Sequence, residues 1–201
     1  AGFTKDCTDE LNLKNPELIK SIHKSYADAG ANIIITNTFG ANRLKLSEYG
    51  LGDKTIGINQ AAVKIAREAA PNCLIAGDIG PLGRYIEPLD ELTFDKAYEI
   101  FSEQARGLKD ADLLIIETIS DIKMLKAAIL AARDNSNKPI IASMTFEEGR
   151  TSTGTDVETY TVIADSLDVD AIGVNCSEGP EELLEVAEVI TKNTNKPIVV
   201  Q

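Results

Sequence analysis

The chain has 201 residues, of which 43% are hydrophobic, 26% charged and 5% aromatic, and its net charge is −12. No apolar run approaches the roughly 18–20 residues a membrane span needs, and Ala1 to Asp6 offers no apolar stretch for a signal peptide. The acidic excess opposes phosphate backbones with no basic patch to offset it, so no nucleic-acid partner is expected.

In chain order, Cys7 lies in a polar leader. Asn15 and Pro16 then form a cap-and-first-position pair that opens a helix with Leu18, Ile22, Tyr26 and Ala29 at helical spacing, closed by Gly30. His23, the single histidine, falls inside it and reads as a polar-face or packing residue. That excludes a histidine-rich metal site and leaves a Ser-His-Asp triad only one possible base. Near-continuous apolar runs follow at 32–38, 73–78, 112–117, 139–145, 170–176 and 197–201. Such runs mark strands buried on both faces, as in parallel α/β sheets. Between them, Thr93 caps a segment carrying Ala97, Phe101, Ala105 and Leu108 on one side. Ser120 or Asp121 caps another, with Ile122, Leu125, Ile129 and Ala132 facing inward, and Asp156 and Gly179-Pro180 open two more. The acids fall mostly between these apolar positions, on a solvated outer face. Three cysteines, Cys7, Cys73 and Cys176, without CxxC spacing, fit a reducing, cytoplasmic compartment better than a disulfide framework.

Strand–helix repetition leaves an open doubly wound sheet and a (β/α)8 barrel as candidates. No GxGxxG follows any strand, which removes the strongest sign of a dinucleotide-binding sheet. Polar residues instead recur at the carboxyl ends of five runs: Asn37-Thr38, Asp78, Glu117-Thr118, Thr145 and Asn175-Cys176. Converging strand ends are what a shared site on the upper face of a barrel requires. A whole barrel takes about 250 residues, so this chain holds about six of its eight βα units.

Each of these groups has a bland reading. Glu117 follows Leu113-Leu114-Ile115-Ile116, where a carboxylate needs a partner. It is either a salt-bridged rim residue or an anchor for a cationic ligand group. Cys176 alone reads as a small buried hydrophobe. The turn from Gly77 to Gly83 reads as a tight post-strand turn with glycines allowing close backbone approach.

Taken together, the segments from Asn32 to Leu46 (NIIITNTFGANRLKL), Gly77 to Gly83 (GDIGPLG), Leu113 to Asp121 (LLIIETISD), Ser143 to Asp156 (SMTFEEGRTSTGTD) and Gly173 to Pro180 (GVNCSEGP) resemble the homocysteine S-methyltransferase family. Glu10 to Leu13 ahead of Pro16 agrees. The resemblance runs in order through essentially the whole chain and is nearest to the cobalamin-dependent, methionine-forming branch, with betaine-dependent members more distant. It implies a TIM-type barrel in which Zn²⁺ is held by three cysteine thiolates, with homocysteine's thiol in the open fourth position and its pKa lowered by the metal. Cys176 matches the first of these ligands. Glu117 matches the carboxylate that receives the substrate ammonium, and Asn37, Thr38, Asp78 and Asn175 would line the same mouth. The other two thiolates belong to a Gly-Gly-Cys-Cys segment expected beyond Gln201. The family's first strand, with its Asp-Gly-x-x-Gly-Thr turn, has no counterpart before Ala1. Residues 1–201 therefore read as a partial homocysteine-binding domain, inactive by itself. The expected partners are homocysteine and a corrinoid-binding domain or protein carrying methylcobalamin. A sulfonium or ammonium methyl donor such as S-methylmethionine, or a non-catalytic truncated barrel acting as a binding module, are the alternatives.

Overall fold

The computed structural model describes residues 7–176 and 179–201. A 3-10 turn, Thr8–Glu10, leads into α1 (Leu11–Lys14) and α2 (Pro16–Asp28). The alternation β1 (Ile33–Ile35), α3 (Arg43–Ser47), α4 (Thr55–Ala69), β2 (Leu74–Ile79), α5 (Phe94–Gly107) and β3 (Leu113–Ile119) follows. It continues through α6 (Ile122–Asn135), β4 (Ile140–Met144), α7 (Val157–Ser166), β5 (Ala171–Val174), α8 (Pro180–Asn193) and β6 (Ile198–Val200).

The helix starts are chemically specified. The Asn15 side chain accepts from Leu18 N–H, Thr93 from Lys96 N–H, Asp121 from Lys123 N–H and Asp156 from Thr159 N–H. Each satisfies one of the four N–H groups that open a helix without an intrahelical partner. Asp121, and not Ser120, is the cap of α6. Gly179 with Pro180 opens α8 as expected. His23 is buried on α2 with Nε2 unpartnered, and burial pushes its pKa down, which makes it a packing residue.

The six strands are parallel and lie in the order β1-β2-β3-β4-β5-β6. That order decides between the two candidate architectures. A doubly wound sheet reverses its strand order at a switch point, whereas barrel strands follow one another. This is an incomplete (β/α)8 barrel, with β1 and β6 as the two edges of the described sheet.

Alternation along each strand separates two layers. Ile34, Ile75, Ile79, Leu114, Ile116, Ile140, Ala142, Ile172 and Val174 join Phe101, Leu125, Ile129 and Tyr160 in the core beneath the helices. The opposite face carries a small cluster of Ala76, Leu113 and Ile115, with Ile141 against it. Ile33 and Ile35 on this inner face of β1 are left 42% and 37% exposed. Period two then assigns the strand ends, because Asp78 follows Ala76 and Glu117 follows Ile115 on the inner face.

Two parallel edges with exposed apolar residues beside them are templates for pairing with another chain. A polypeptide limited to residues 1–201 is expected to self-associate or to lose fixed packing. Sedimentation velocity and a thermal scan check this, and a monodisperse monomer with one cooperative transition would contradict it.

Candidate functional site

The carboxyl ends of the strands are where the parallel ladder stops and backbone groups need other partners. At the end of β3 the ladder is irregular. Ile116 pairs with Ala142 and Ile119 with Met144, so Glu117 and Thr118 together stand opposite Ser143. This is a β-bulge, and it places Thr118 at φ 58°, a left-handed conformation that is costly for a β-branched residue. Asn175, just past β5, absorbs the disturbance. Its Oδ1 accepts from Thr118 N–H at 3.0 Å and from Ser143 Oγ at 2.7 Å, while Nδ2 donates to Thr118 Oγ1 at 2.7 Å. Thr145 Oγ1 donates to Asn175 O at 3.0 Å. Cys176 follows, exposed and also left-handed at φ 52°.

Glu117 is half-buried. Burial raises its pKa, and the Gln201 amide, which donates to Oε2, opposes the rise. Gln201 immediately follows β6, so this bond spans the inner side of the curl across β4 and β5. Asp78 is only 3% exposed and its Oδ1 has no hydrogen-bond partner. Burial, then the Glu117 and Asp9 carboxylates, push its pKa well up, against the Lys45 ammonium and the Ile79 amide. The Glu117 charge thus adds to the cost of ionising Asp78, the more deeply buried of the two carboxyls.

At the ends of β1 and β2 the polar groups are bound to the protein itself. Asn37 Nδ2 donates to Thr8 O at 2.9 Å and to Asn12 Oδ1 at 3.3 Å, and Asn12 returns a bond to Asn37 O. Thr38 is wholly buried and its hydroxyl donates to Asp78 O at 2.8 Å. A cavity of about 430 Å³ opens beside these loops, with Cys7, Asp9, Asn37, Phe39, Lys45 and Gly83 among its walls. Lys45 lies over the Phe39 ring, 5.0 Å from its centroid, and burial lowers its pKa. Gly80 is obligatory here, since a Cβ would sit 2.4 Å from Phe39 O.

Of the residues expected from sequence, Asp78, Glu117, Asn175 and Cys176 gather at one end of the sheet. The side chains of Asn37, Thr38 and Asn175 are committed to shaping the backbone there. Sequence reasoning noted Thr118 as a strand-end polar residue but did not single out Ser143, Lys45 or Gln201. A polar residue closing an apolar run was the available signal for Gln201.

The metal implied by the resemblance can be tested against the donors present. Cys73 precedes β2 at the opposite end and its Sγ donates to Ala31 O at 3.1 Å, while Cys7 is buried beside Asp9. No group of three His, Cys, Asp or Glu among the described residues is placed to hold a metal. With Cys176 as the one thiol beyond β5, the described residues do not by themselves make a zinc site.

The buried Asp78 carboxyl gives a stability signature. Its pKa is raised in the fold, so above the unfolded value of about 3.9 the native state binds more protons and stability falls as pH rises. Asp78→Asn lacks that slope. The variant is expected to gain stability relative to the parent between about pH 4 and the raised value. Urea unfolding across this range checks it, and parallel pH profiles would contradict it.

The sequence profile described as homocysteine S-methyltransferase matches residues 3–201. The methionine synthases of Mycobacterium leprae and Mycobacterium tuberculosis are 31% and 30% identical to the chain over 96% of its length, of which it spans 17%. The metallated form of the homocysteine methyltransferase MmuM from Escherichia coli superposes with a TM-score of 0.84 at 24% identity, covering 96% of this chain and 74% of that one. Its apo form gives 0.79 at 23% identity, with 98% and 75% covered. These structures share the fold. With the family profile running through almost every residue, the chain belongs to the homocysteine S-methyltransferase family.

Proposed function

We propose that this chain is the homocysteine-binding part of a methyltransferase that methylates the thiol of homocysteine to form methionine. The observation that carries the reading is the inner-face pair Asp78 and Glu117, set beside one another at the strand ends of a barrel of this family. An amino-acid substrate brings an ammonium group, and a bulge-displaced carboxylate sharing its environment with a second carboxyl is a suitable acceptor for it. Glu117 takes the ammonium. Asp78 is the second acidic group at that mouth. Asn37, Thr38 and Asn175 act through the backbone they hold.

Zinc enters this reading as a property of the complete protein, with Cys176 as the ligand contributed here and two further thiolates from outside these residues. A methyl-corrinoid carried by another domain or subunit is the proposed donor, supported by the similarity to the two methionine synthases. No described helix is long and apolar enough to cross a membrane. The cytoplasmic location proposed here rests on that and on the sparse, unpaired cysteines.

Glu117→Gln keeps the shape of the side chain and removes its charge. A charge-assisted hydrogen bond contributes about 1.5–3 kcal/mol, so homocysteine affinity in the complete protein is expected to fall about tenfold to a hundredfold with zinc content unchanged. Calorimetric titration measures the first and metal analysis the second. Unaltered affinity would make Glu117 a rim residue.

For Cys176, alanine substitution in the complete protein is expected to abolish zinc retention and methyl transfer together. The polypeptide 1–201 is expected to retain no stoichiometric zinc after dialysis against a weak chelator, because one thiolate cannot build a tetrahedral site. One retained equivalent would require a different ligand set.

A further inference from the structure

We propose that Gln104, on the outer helix α5, is a positioning residue for the substrate mouth: its buried amide fixes the backbone that carries Thr38 and Asp78 and so sets the aim of the Asp78 carboxyl. The consequence for substrate rests on the homocysteine reading above, whereas the consequence for the backbone does not.

Gln104 is wholly buried, and its Nε2 donates to Thr38 O at 2.9 Å and to Asp78 O at 3.3 Å. Both partners are carbonyl oxygens, so the amide has only one workable orientation. That orientation leaves Oε1 buried with no hydrogen-bond partner. An apolar side chain of the same length would avoid that penalty. A residue that leaves an acceptor orphaned while directing its donor group to two carbonyls is one whose use lies in those carbonyls.

The two carbonyls sit at the point where β1 and β2 part. Asp78 N–H donates to Thr36 Oγ1 at 3.0 Å, the Thr36 and Thr38 hydroxyls are 2.7 Å apart, and Thr38 Oγ1 donates to Asp78 O at 2.8 Å. Because the Thr38 proton goes to Asp78 O, Thr36 donates to Thr38. A closed ring of bonds thus surrounds the Asp78 backbone, and Gln104 ties that ring to the helix layer. Asn59 on α4 repeats the device at the far end of the same loop. Its Nδ2 donates to Ala41 O and Thr55 O, each at 2.8 Å, and its Oδ1 is orphaned. Between the two clamps, Phe39 O packs so closely on Gly80 that only glycine fits. A shift at Thr38 is therefore passed on to the turn that follows Asp78.

The test uses the full-length protein. Gln104→Met removes the donors and the orphaned oxygen while keeping chain length, and Gln104→Glu donates only when its carboxyl is protonated. In Gln104→Met, amide hydrogen exchange is expected to accelerate within 36–41 and 76–80 with the rest of the barrel unchanged. KM for homocysteine should rise about tenfold with kcat within about twofold. Gln104→Glu should lose protection in the same two segments as pH rises, after correction for the intrinsic pH dependence of exchange, because only the protonated carboxyl donates and the ionised one repels the two carbonyl oxygens. If Gln104→Met fails to fold, the pH-dependent exchange of Gln104→Glu decides. Unchanged exchange in the two segments, or a uniform loss of protection, overturns the proposal by making Gln104 an ordinary core residue. Local exchange changes in a protein that does not bind homocysteine would overturn the substrate reading and leave the clamp standing.

Discussion

Everything at the candidate site depends on how backbone groups are satisfied where a parallel sheet runs out. Within the ladder each strand partners the next, but at the carboxyl ends the strands diverge and peptide groups lose their neighbours. Here side chains replace the ladder. Asn175 captures the N–H released by the bulge at Thr118, and the hydroxyls of Thr36 and Thr38 encircle the Asp78 peptide. Gln104 and Asn59 reach in from the helices to hold carbonyls. Only after these needs are met do the groups left over, chiefly the carboxyls of Asp78 and Glu117 and the exposed Cys176, become available for a ligand.

The second consequence is electrostatic. Two carboxyls on one inner face are costly to ionise together, and the protein lowers the cost in different ways for each. Glu117 receives the Gln201 amide, while Asp78 is left with an orphaned oxygen and is helped by the Lys45 ammonium and the Ile79 amide. The outer ion pairs, such as Arg43 with Glu103 and Arg67 with Asp112, sit apart from this pair and hold helices to helices or to strand ends. Strain at Thr118 and a buried, poorly compensated acid are departures from an optimally stable sheet, and they occur at the strand ends where the proposed substrate would bind.

Most of the fold was legible because apolar continuity and cap chemistry are local signals. The runs at 73–78, 112–117 and 139–145 became β2, β3 and β4, and Asn15, Thr93 and Asp156 cap the helices assigned to them. The run at 32–38 yielded a strand of only Ile33–Ile35, because beyond the Thr36 N–H, which still donates to Ala76 O, the Thr36 and Thr38 hydroxyls bond one another and the Asp78 peptide while Asn37 turns to Thr8 and Asn12. The strand-end residues could be found, but their division of labour could not. Nothing in Glu117-Thr118 announces a bulge, since a left-handed threonine contradicts its own propensity and is imposed by Asn175, 57 residues away. Gln104 looks like one more polar residue on an amphipathic helix until its carbonyl partners, 66 and 26 residues distant, are known.

The strictly sequential strand order also grades the molecule's resistance to opening. β3 and β4 are flanked by strands on both sides and covered by helices, whereas β1 and β6 each have a single neighbour in the described sheet. In a polypeptide limited to residues 1–201, free energies of local opening should accordingly decline from the centre towards the two margins. Glu117 stands on the firm middle of that gradient, and Asn37 and Gln201 stand on its soft flanks. In that polypeptide the carboxylate proposed to meet the substrate ammonium stands on a stiff support, and Asn37 and Gln201 on softer ones.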